Sequence, residues 1–419
     1  MPSQASNVRR AAVSALRAWA KGHTYMDGLV EKNAARNGLS RQDRALLQSI
    51  VYAVLRHRRL LDHWIGKLRK GKLDHETRDV LRVGICQLLI LNIADHAVVN
   101  ETVNCAKTPV RGLINAVLRQ AIVRRKRLIE DMEELSPALQ YSHPDWLYNR
   151  WRKNFGKANA QALMEWNNQP AQVIARVNKL KDDAQETVSQ YDKALPIEGL
   201  DGYYQIRGSL PGEWMKHGLV YIQDPATRHC VELLAPTAGE VILDACAAPG
   251  GKSSLIAEAM NNQGEILCTD SNEKRTPRLQ SNLENLGIDI AKVQVHDWTE
   301  AAPSDWHGKF DAVLLDVPCS NTGVLRRRVD ARWRLRHEDI EALTEIQETI
   351  LSNVLPTLKP GGRIVYSTCS IDVEENRQLI DHFLRKNSQW KISREHSAIP
   401  FKDHTDGAYA ALITNGNGE

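Results

Sequence analysis

Long apolar runs, paired cysteines and early prolines are all scarce in this chain of 419 residues. The longest greasy stretch, 83–94, falls short of the ~20 residues that a membrane-spanning helix needs. The N-terminus carries no apolar signal core, so neither membrane insertion nor secretion is expected and a cytoplasmic location is. Seven cysteines, at positions 86, 105, 230, 246, 268, 319 and 369, form no CxxC pair, and no histidines cluster closely. That argues against a structural zinc site and a disulfide scaffold, and predicts reduced thiols. Before residue 130 the only prolines are Pro2 and Pro109, so little there interrupts a helix.

What is present is an ordinary soluble composition, 42% hydrophobic and 25% charged, long enough for about two or three domains. A net charge of +4 hides an asymmetry. Residues 1–127 carry 24 Lys and Arg against 9 Asp and Glu, whereas the remainder carries 31 against 42. A basic half joined to an acidic half points to a nucleic-acid partner, and Arg124-Arg125-Lys126-Arg127 adds a local cluster. A solvated cationic helix surface is the plain alternative.

Three regions separate along the chain. Over 1–135 apolar residues recur at spacings of three and four, as in Ala45, Leu46, Ile50 and Val54, which predicts an all-α domain. Residues 136–215 read as a small α+β connector. It has an amphipathic helix containing Trp151, Phe155, Leu163 and Trp166, and a strand over 173–177. Over 216–419 strands at 240–245, 265–269, 292–296, 310–315 and 363–366 alternate with helical patterns at 253–260, 273–286 and 338–358. That alternation predicts a Rossmann-like α/β domain, a parallel sheet covered on both faces. No heptads call for a dimer, and a monomer is expected.

The chemistry-bearing residues fall at strand ends, where such sheets bind ligands. Cys319 lies in Asp316-Val317-Pro318-Cys319-Ser320 after the fourth strand, and Cys369 in Ser367-Thr368-Cys369-Ser370 after the fifth. Two thiols converging on one pocket suggest covalent catalysis on an electrophile. The first strand feeds Cys246-Ala247-Ala248-Pro249-Gly250-Gly251-Lys252, a small-residue turn that exposes backbone N–H groups at a helix start. A P-loop would need glycine at 246, which is Cys, and Ala248-Pro249 breaks the dinucleotide fingerprint. Asp270 at the second strand end suits ribose hydroxyls, and Asp297 at the third suits an adenine edge. Adenine and ribose without phosphates suggest S-adenosylmethionine.

These motifs, with Glu374-Glu375-Asn376 following, resemble those of RNA cytosine-C5 methyltransferases. Asn100-Glu101-Thr102-Val103 and the run Arg111-Gly112-Leu113-Ile114-Asn115-Ala116-Val117-Leu118-Arg119 resemble a NusB-like RNA-binding domain. Together they are similar to the bacterial RsmB (Sun/Fmu) type, and the likeness spans nearly the whole chain. It implies methylation of a cytosine in small-subunit ribosomal RNA at a single-stranded or looped site, with no metal. It further implies Cys369 as the nucleophile toward C6, Asp316 on the N3/N4 edge of the base, and Cys319 in proton removal or product release. The turn 246–252, Asp270, Asp297 and Asp316 would hold the cofactor. The tail, Asp406-Gly407-Ala408-Tyr409-Ala410-Ala411, resembles the family's last strand before a polar Asn-Gly stretch.

Arg326-Arg327-Arg328 and Arg332-Trp333-Arg334, with Arg336, follow Cys319 closely. Guanidinium groups bind phosphates and Trp333 can stack on a base, so this cluster is expected to face RNA. The competing functions are an RNA-binding assembly factor that needs no catalysis, and a methyltransferase for another RNA, such as tRNA, or for DNA.

Overall fold

A computed structural model describes residues 4–22 and 24–416, without the side chains of 4–6. Pro2 and the end of the polar tail, 417–419, lie outside the described residues. The chain divides into two compact units, one formed by Met1–Gln169 with Leu325–Arg334, the other by Pro170–Val324 with Leu335–Glu419.

The first unit is helical. Its helices include Gln4–Trp19, Met26–Arg36, Arg41–Arg56, His75–Leu89 and Arg111–Val123, followed by the pair Asp145–Phe155 and Lys157–Asn168. Helix starts follow local chemistry: Ser40 Oγ accepts from Asp43 N at 3.1 Å, and Asp74 Oδ1 from Thr77 N at 2.9 Å. The greasy stretch noted above is mostly His75–Leu89, the central helix, whose Val80, Leu81, Val83, Ile85 and Leu88 are all buried. A Cβ at Gly84 would stand 2.6 Å from Leu118 Cδ2; glycine there lets two helices approach closely.

The arginine-rich tract up to Arg334 belongs to this unit, and two of its arginines correct the expectation that the cluster as a whole faces RNA. Arg326 and Arg332 are buried, at 4% and 0% exposure. Arg332 donates to Asn168 Oδ1 at 2.7 Å and Asn167 O at 2.9 Å, and Arg326 stacks 4.1 Å above the Trp166 ring. Trp333 Nε1 donates to Leu55 O at 2.9 Å, so its ring edge is engaged inside the unit as well. Five guanidinium donors can satisfy many carbonyls at once, which makes arginine a tolerable buried group. Arg328 and Arg336 do remain exposed.

The second unit holds two sheets. The small one, β1 (Val173–Val177), β2 (Ala194–Pro196), β3 (Tyr203–Ile206) and β4 (Val220–Ile222), is antiparallel in the order β2-β3-β1-β4. The large one comprises β5 (Val241–Asp244), β6 (Glu265–Asp270), β7 (Ala291–Val295), β8 (Phe310–Asp316), β9 (Leu358–Thr368), β10 (Trp390–Ala398) and β11 (Ala408–Asn415). Its order is β10-β11-β9-β8-β5-β6-β7. Strands β5 to β9 pair in parallel, as the sequence predicts for buried Val-, Ile- and Leu-rich runs. The sheet is not wholly parallel, however, because β11 and β10 extend it antiparallel beyond β9. Two apolar clusters cover its faces, one including Ile242, Ile256, Ile266 and Leu314, the other Leu243, Val313, Tyr366 and Phe383.

Candidate active site

Strands β8 and β9 are parallel neighbours with Leu315 opposite Tyr366 and Asp316 opposite Ser367. The loops that follow therefore leave the same sheet edge side by side, and Cys319 Sγ lies 3.1 Å from Cys369 Sγ. Cys369 Sγ also lies 3.3 Å from Asn321 Oδ1. Both cysteines are only partly buried, so a ligand can reach them. The contact with Cys369, and then burial, push the Cys319 thiol well above its ordinary value. Cys319 therefore keeps its proton.

Backbone contacts hold this geometry. Gly323 N donates to Cys369 O at 3.0 Å, and Gly407 N donates to Gly323 O at 2.8 Å. Beneath the Cys319 loop sits the Glu375 carboxylate, buried and accepting from Ser320 N at 2.8 Å, from Ser320 Oγ and from Gln347 Nε2 at 3.0 Å. Tyr366 OH donates to Glu375 O at 2.6 Å, and Gln347 Nε2 reaches Pro318 O at 2.9 Å. Burial raises the Glu375 carboxyl despite these donors. A buried network of this kind fixes a loop because each broken member leaves an unpaired polar group.

Lys252 comes from the first turn of the helix Gly251–Ala259 and reaches across to Asp316, Nζ to Oδ2 2.6 Å. Burial pulls the ammonium down, but the Asp316 carboxylate and the nearby thiols outweigh it and hold Lys252 above its ordinary value. Lys252 is thus cationic throughout the working pH range. A cavity of about 50 Å³ adjoins Cys369, Lys252 and Asp316. Its other walls include Cys230 and the stacked rings of His229 and His396, 3.7 Å between centroids.

The remaining site residues line the same edge. The turn Cys246, Ala247, Ala248, Pro249, Gly250, Gly251, Lys252 follows β5, between β8 and β6. Gly250 takes φ +101, a left-handed backbone that suits glycine. A Cβ at Gly251 would meet Tyr221 Cε1 at 2.8 Å. Asp270 ends β6 and is buried; its carboxylate accepts from Asn272 N at 3.0 Å and faces Arg275 Nη1 at 3.1 Å. Asp297 lies two residues beyond β7 and is exposed, with Oδ1 accepting from Thr299 N at 2.9 Å and Thr299 Oγ1 at 2.8 Å. Those bonds hold its carboxyl below the usual range.

This donor set fits S-adenosylmethionine. Small residues of the turn leave room beside the backbone, and Asp270 offers a carboxylate at a strand end. Asp244, the last residue of β5, is fully buried; Ser253 Oγ donates to its Oδ2 at 2.7 Å, while Oδ1 has no hydrogen-bond partner among the described residues. Lys252, the cation at the start of the helix after the turn, is held by Asp316. Among the described residues no group of three or more His, Cys, Asp or Glu side chains is placed to hold a metal ion, and no helix is long and apolar enough to cross a membrane.

Sequence reasoning placed both cysteines and Asp316 but gave no role to Asn321, Gln347, Tyr366 or Glu375. The signal for Glu375 was its place in Glu374-Glu375-Asn376, the motif that follows Cys369.

Comparisons with known proteins agree with this architecture. A family model described as 16S rRNA methyltransferase RsmB/F matches residues 231–413. A NusB family model matches 6–123, and a ferredoxin-like domain of RsmF/B-like methyltransferases matches 143–195. Ribosomal RNA small subunit methyltransferase B of Erwinia tasmaniensis is 36% identical over 409 residues, 91% of this chain and 92% of that protein. The protein of the same name from Proteus mirabilis is 36% identical over 400 residues, 90% of this chain and 92% of that one. The crystal structure of PH0851 shares the fold, with a TM-score of 0.79 at 24% identity, over 97% of this chain and 98% of that one.

Proposed function

Because the chain belongs to the RsmB/F ribosomal RNA small subunit methyltransferase family and is an S-adenosylmethionine-dependent RNA methyltransferase, we propose that it methylates C5 of a cytosine in small-subunit ribosomal RNA. The observation that carries this reading is the pair of thiols 3.1 Å apart beside a lysine–aspartate pair.

Cytosine C5 is a poor nucleophile. Addition of the Cys369 thiolate to C6 breaks the C5–C6 π bond and makes C5 enamine-like, with Asp316 on the N3/N4 edge as charge develops there. Lys252, permanently an ammonium, contributes electrostatically and through Asp316, and does not serve as the base. S-adenosylmethionine, held by 246–252, Asp270, Asp297 and Asp316, supplies an electrophilic methyl group for C5. The C5 proton then passes to the Cys319 sulfur as Cys319 hands its own proton to Cys369, so that the C5–C6 double bond is restored, the C6–S bond breaks with its electron pair on Cys369, and both thiols end protonated. Cys319, protonated and touching Cys369, assists this release. In this reading residues 1–135 bind RNA, 136–215 connect, and 216–419 carry the chemistry. Arg124, Lys126 and Arg127 are exposed and available to phosphates. A target base must leave its stack, which favours looped RNA.

The test is methyl transfer from labelled S-adenosylmethionine, with nucleosides of the product identified by mass spectrometry. The reading expects 5-methylcytidine in small-subunit ribosomal RNA and none in tRNA or matching DNA. Transfer to tRNA alone would change the substrate, and no transfer to naked or particle-bound ribosomal RNA would leave an assembly factor as the function.

A further inference from the structure

We propose that Asn321 is a positioning residue for Cys369, one that fixes the sulfur and sets its ionisation through a side-chain amide shared with the Cys319 loop. The proposal rests on the reading of Cys369 as the nucleophile. Asn321 has φ +61, a left-handed backbone that asparagine tolerates better than most residues. That conformation turns its side chain back over the loop, where Nδ2 donates to Cys319 O at 2.7 Å. The same amide presents Oδ1 to Cys369 Sγ at 3.3 Å. One planar group therefore ties the sulfur of one catalytic loop to the backbone of the other. The two residues that follow are fixed too, since Thr322 Oγ1 donates to Asp372 Oδ2 at 2.6 Å and Gly323 N to Cys369 O.

The chemistry of the amide gives it a direction. Its oxygen accepts from a thiol but repels a thiolate, so the resting geometry favours Cys369 with its proton, aimed at Asn321. Turned end for end, the amide offers Nδ2 to the thiolate and withdraws the donor from Cys319 O. Ionisation of Cys369 and the hold on the Cys319 loop are thus coupled through one side chain. The other titratable groups facing Cys369 are Cys319 and the Lys252–Asp316 pair. Across the small cavity stand Cys230, His229, His396, Asp406 and Tyr409.

Two variants separate positioning from folding. Asn321→Gly keeps the left-handed backbone without strain and removes the amide, while Asn321→Asp keeps the shape and puts a carboxylate against the sulfur. The measurement is the pH dependence of Cys369 alkylation by iodoacetamide, read on the peptide by mass, together with kcat and KM. The proposal expects the alkylation midpoint of Asn321→Asp to lie at least about one pH unit above wild type. For Asn321→Gly it expects kcat about tenfold lower or more, with both KM values within about twofold. Superimposed alkylation profiles for wild type and Asn321→Asp, or an unchanged kcat in Asn321→Gly, would overturn it. Alkylation needs neither RNA nor cofactor. A wild type that transfers no methyl group therefore sinks the reading of the site while the profile still decides the role of Asn321.

Discussion

Replacing Gly323 by alanine puts a methyl group where three backbone segments meet. The new Cβ would stand 2.6 Å from Gly407 O and 2.7 Å from Cys369 O, against an ordinary contact of 3.4 Å or more. Both obstacles are backbone carbonyls, so no side chain can swing aside, and relief requires the Cys319 loop to part from Cys369 by about 0.7 Å (3.4 − 2.7) and from Gly407 by about 0.8 Å (3.4 − 2.6). Overpacking of this kind costs about 1–3 kcal/mol. A shift near 1 Å at a reacting centre costs on the order of a hundredfold in rate. Gly323→Ala should therefore fold, melt a few degrees lower, and lose roughly a hundredfold in kcat. Gly212→Ala is the control, since a Cβ there meets nothing within 4 Å in the same unit. Activity is read as methyl transfer at saturating cofactor and RNA, and stability by calorimetry. A Gly323→Ala enzyme with kcat within a factor of about two of the control would refute the claim that this junction sets the thiol geometry.

Three further outcomes follow from buried or paired groups. Burial lifts Asp244 from 3.8 to about 7, with the Ser253 hydrogen bond opposing and Asp316 adding. The stability tied to its proton is complete below about pH 4 and lost as pH rises through 7, at up to about 1.4 kcal/mol per unit. In urea melts, wild type should lose more stability between pH 5 and 7.5 than Asp244→Asn, and parallel curves would count against the shift. Arg332→Ala should destabilise the helical unit by about 2–4 kcal/mol, because it orphans Asn167 O and Asn168 Oδ1. Its salt dependence of RNA binding should match wild type, whereas Arg127→Ala should lower that slope by about one. Finally, hydrogen peroxide should convert Cys319 and Cys369 to a disulfide, two thiol hydrogens leaving as water. Mass spectrometry would find the cross-linked peptides and dithiothreitol would restore activity; single sulfenic or sulfinic acids without a cross-link would argue against the close pairing.

The readable parts of this chain were those whose signal is local. Buried strands announce themselves as Val-, Ile- and Leu-rich runs, and once β8 and β9 are neighbours the two cysteines must meet. The parallel core of β5 to β9 followed from those runs, whereas the antiparallel edge strand β10, mostly half-buried or exposed, has no apolar run to mark it. The burial of Arg326 and Arg332 was hidden for another reason. A cationic run looks alike in sequence whether solvated or buried, and the groups that bury this one are distant along the chain: Arg326 O accepts from Arg56, and Arg332 bonds Asn167 and Asn168. Asn321 was illegible because its role depends on a positive φ and a side chain folded back on its own loop.

The central claim is that Cys369 attacks and Cys319 releases. The most direct measurement incubates each alanine variant with small-subunit ribosomal RNA and S-adenosylmethionine, then looks for protein bound to RNA on a denaturing gel. Cys319→Ala should accumulate a covalent adduct through Cys369, and Cys369→Ala should form neither adduct nor product. An adduct that builds up in Cys369→Ala and not in Cys319→Ala would contradict the account and make Cys319 the nucleophile.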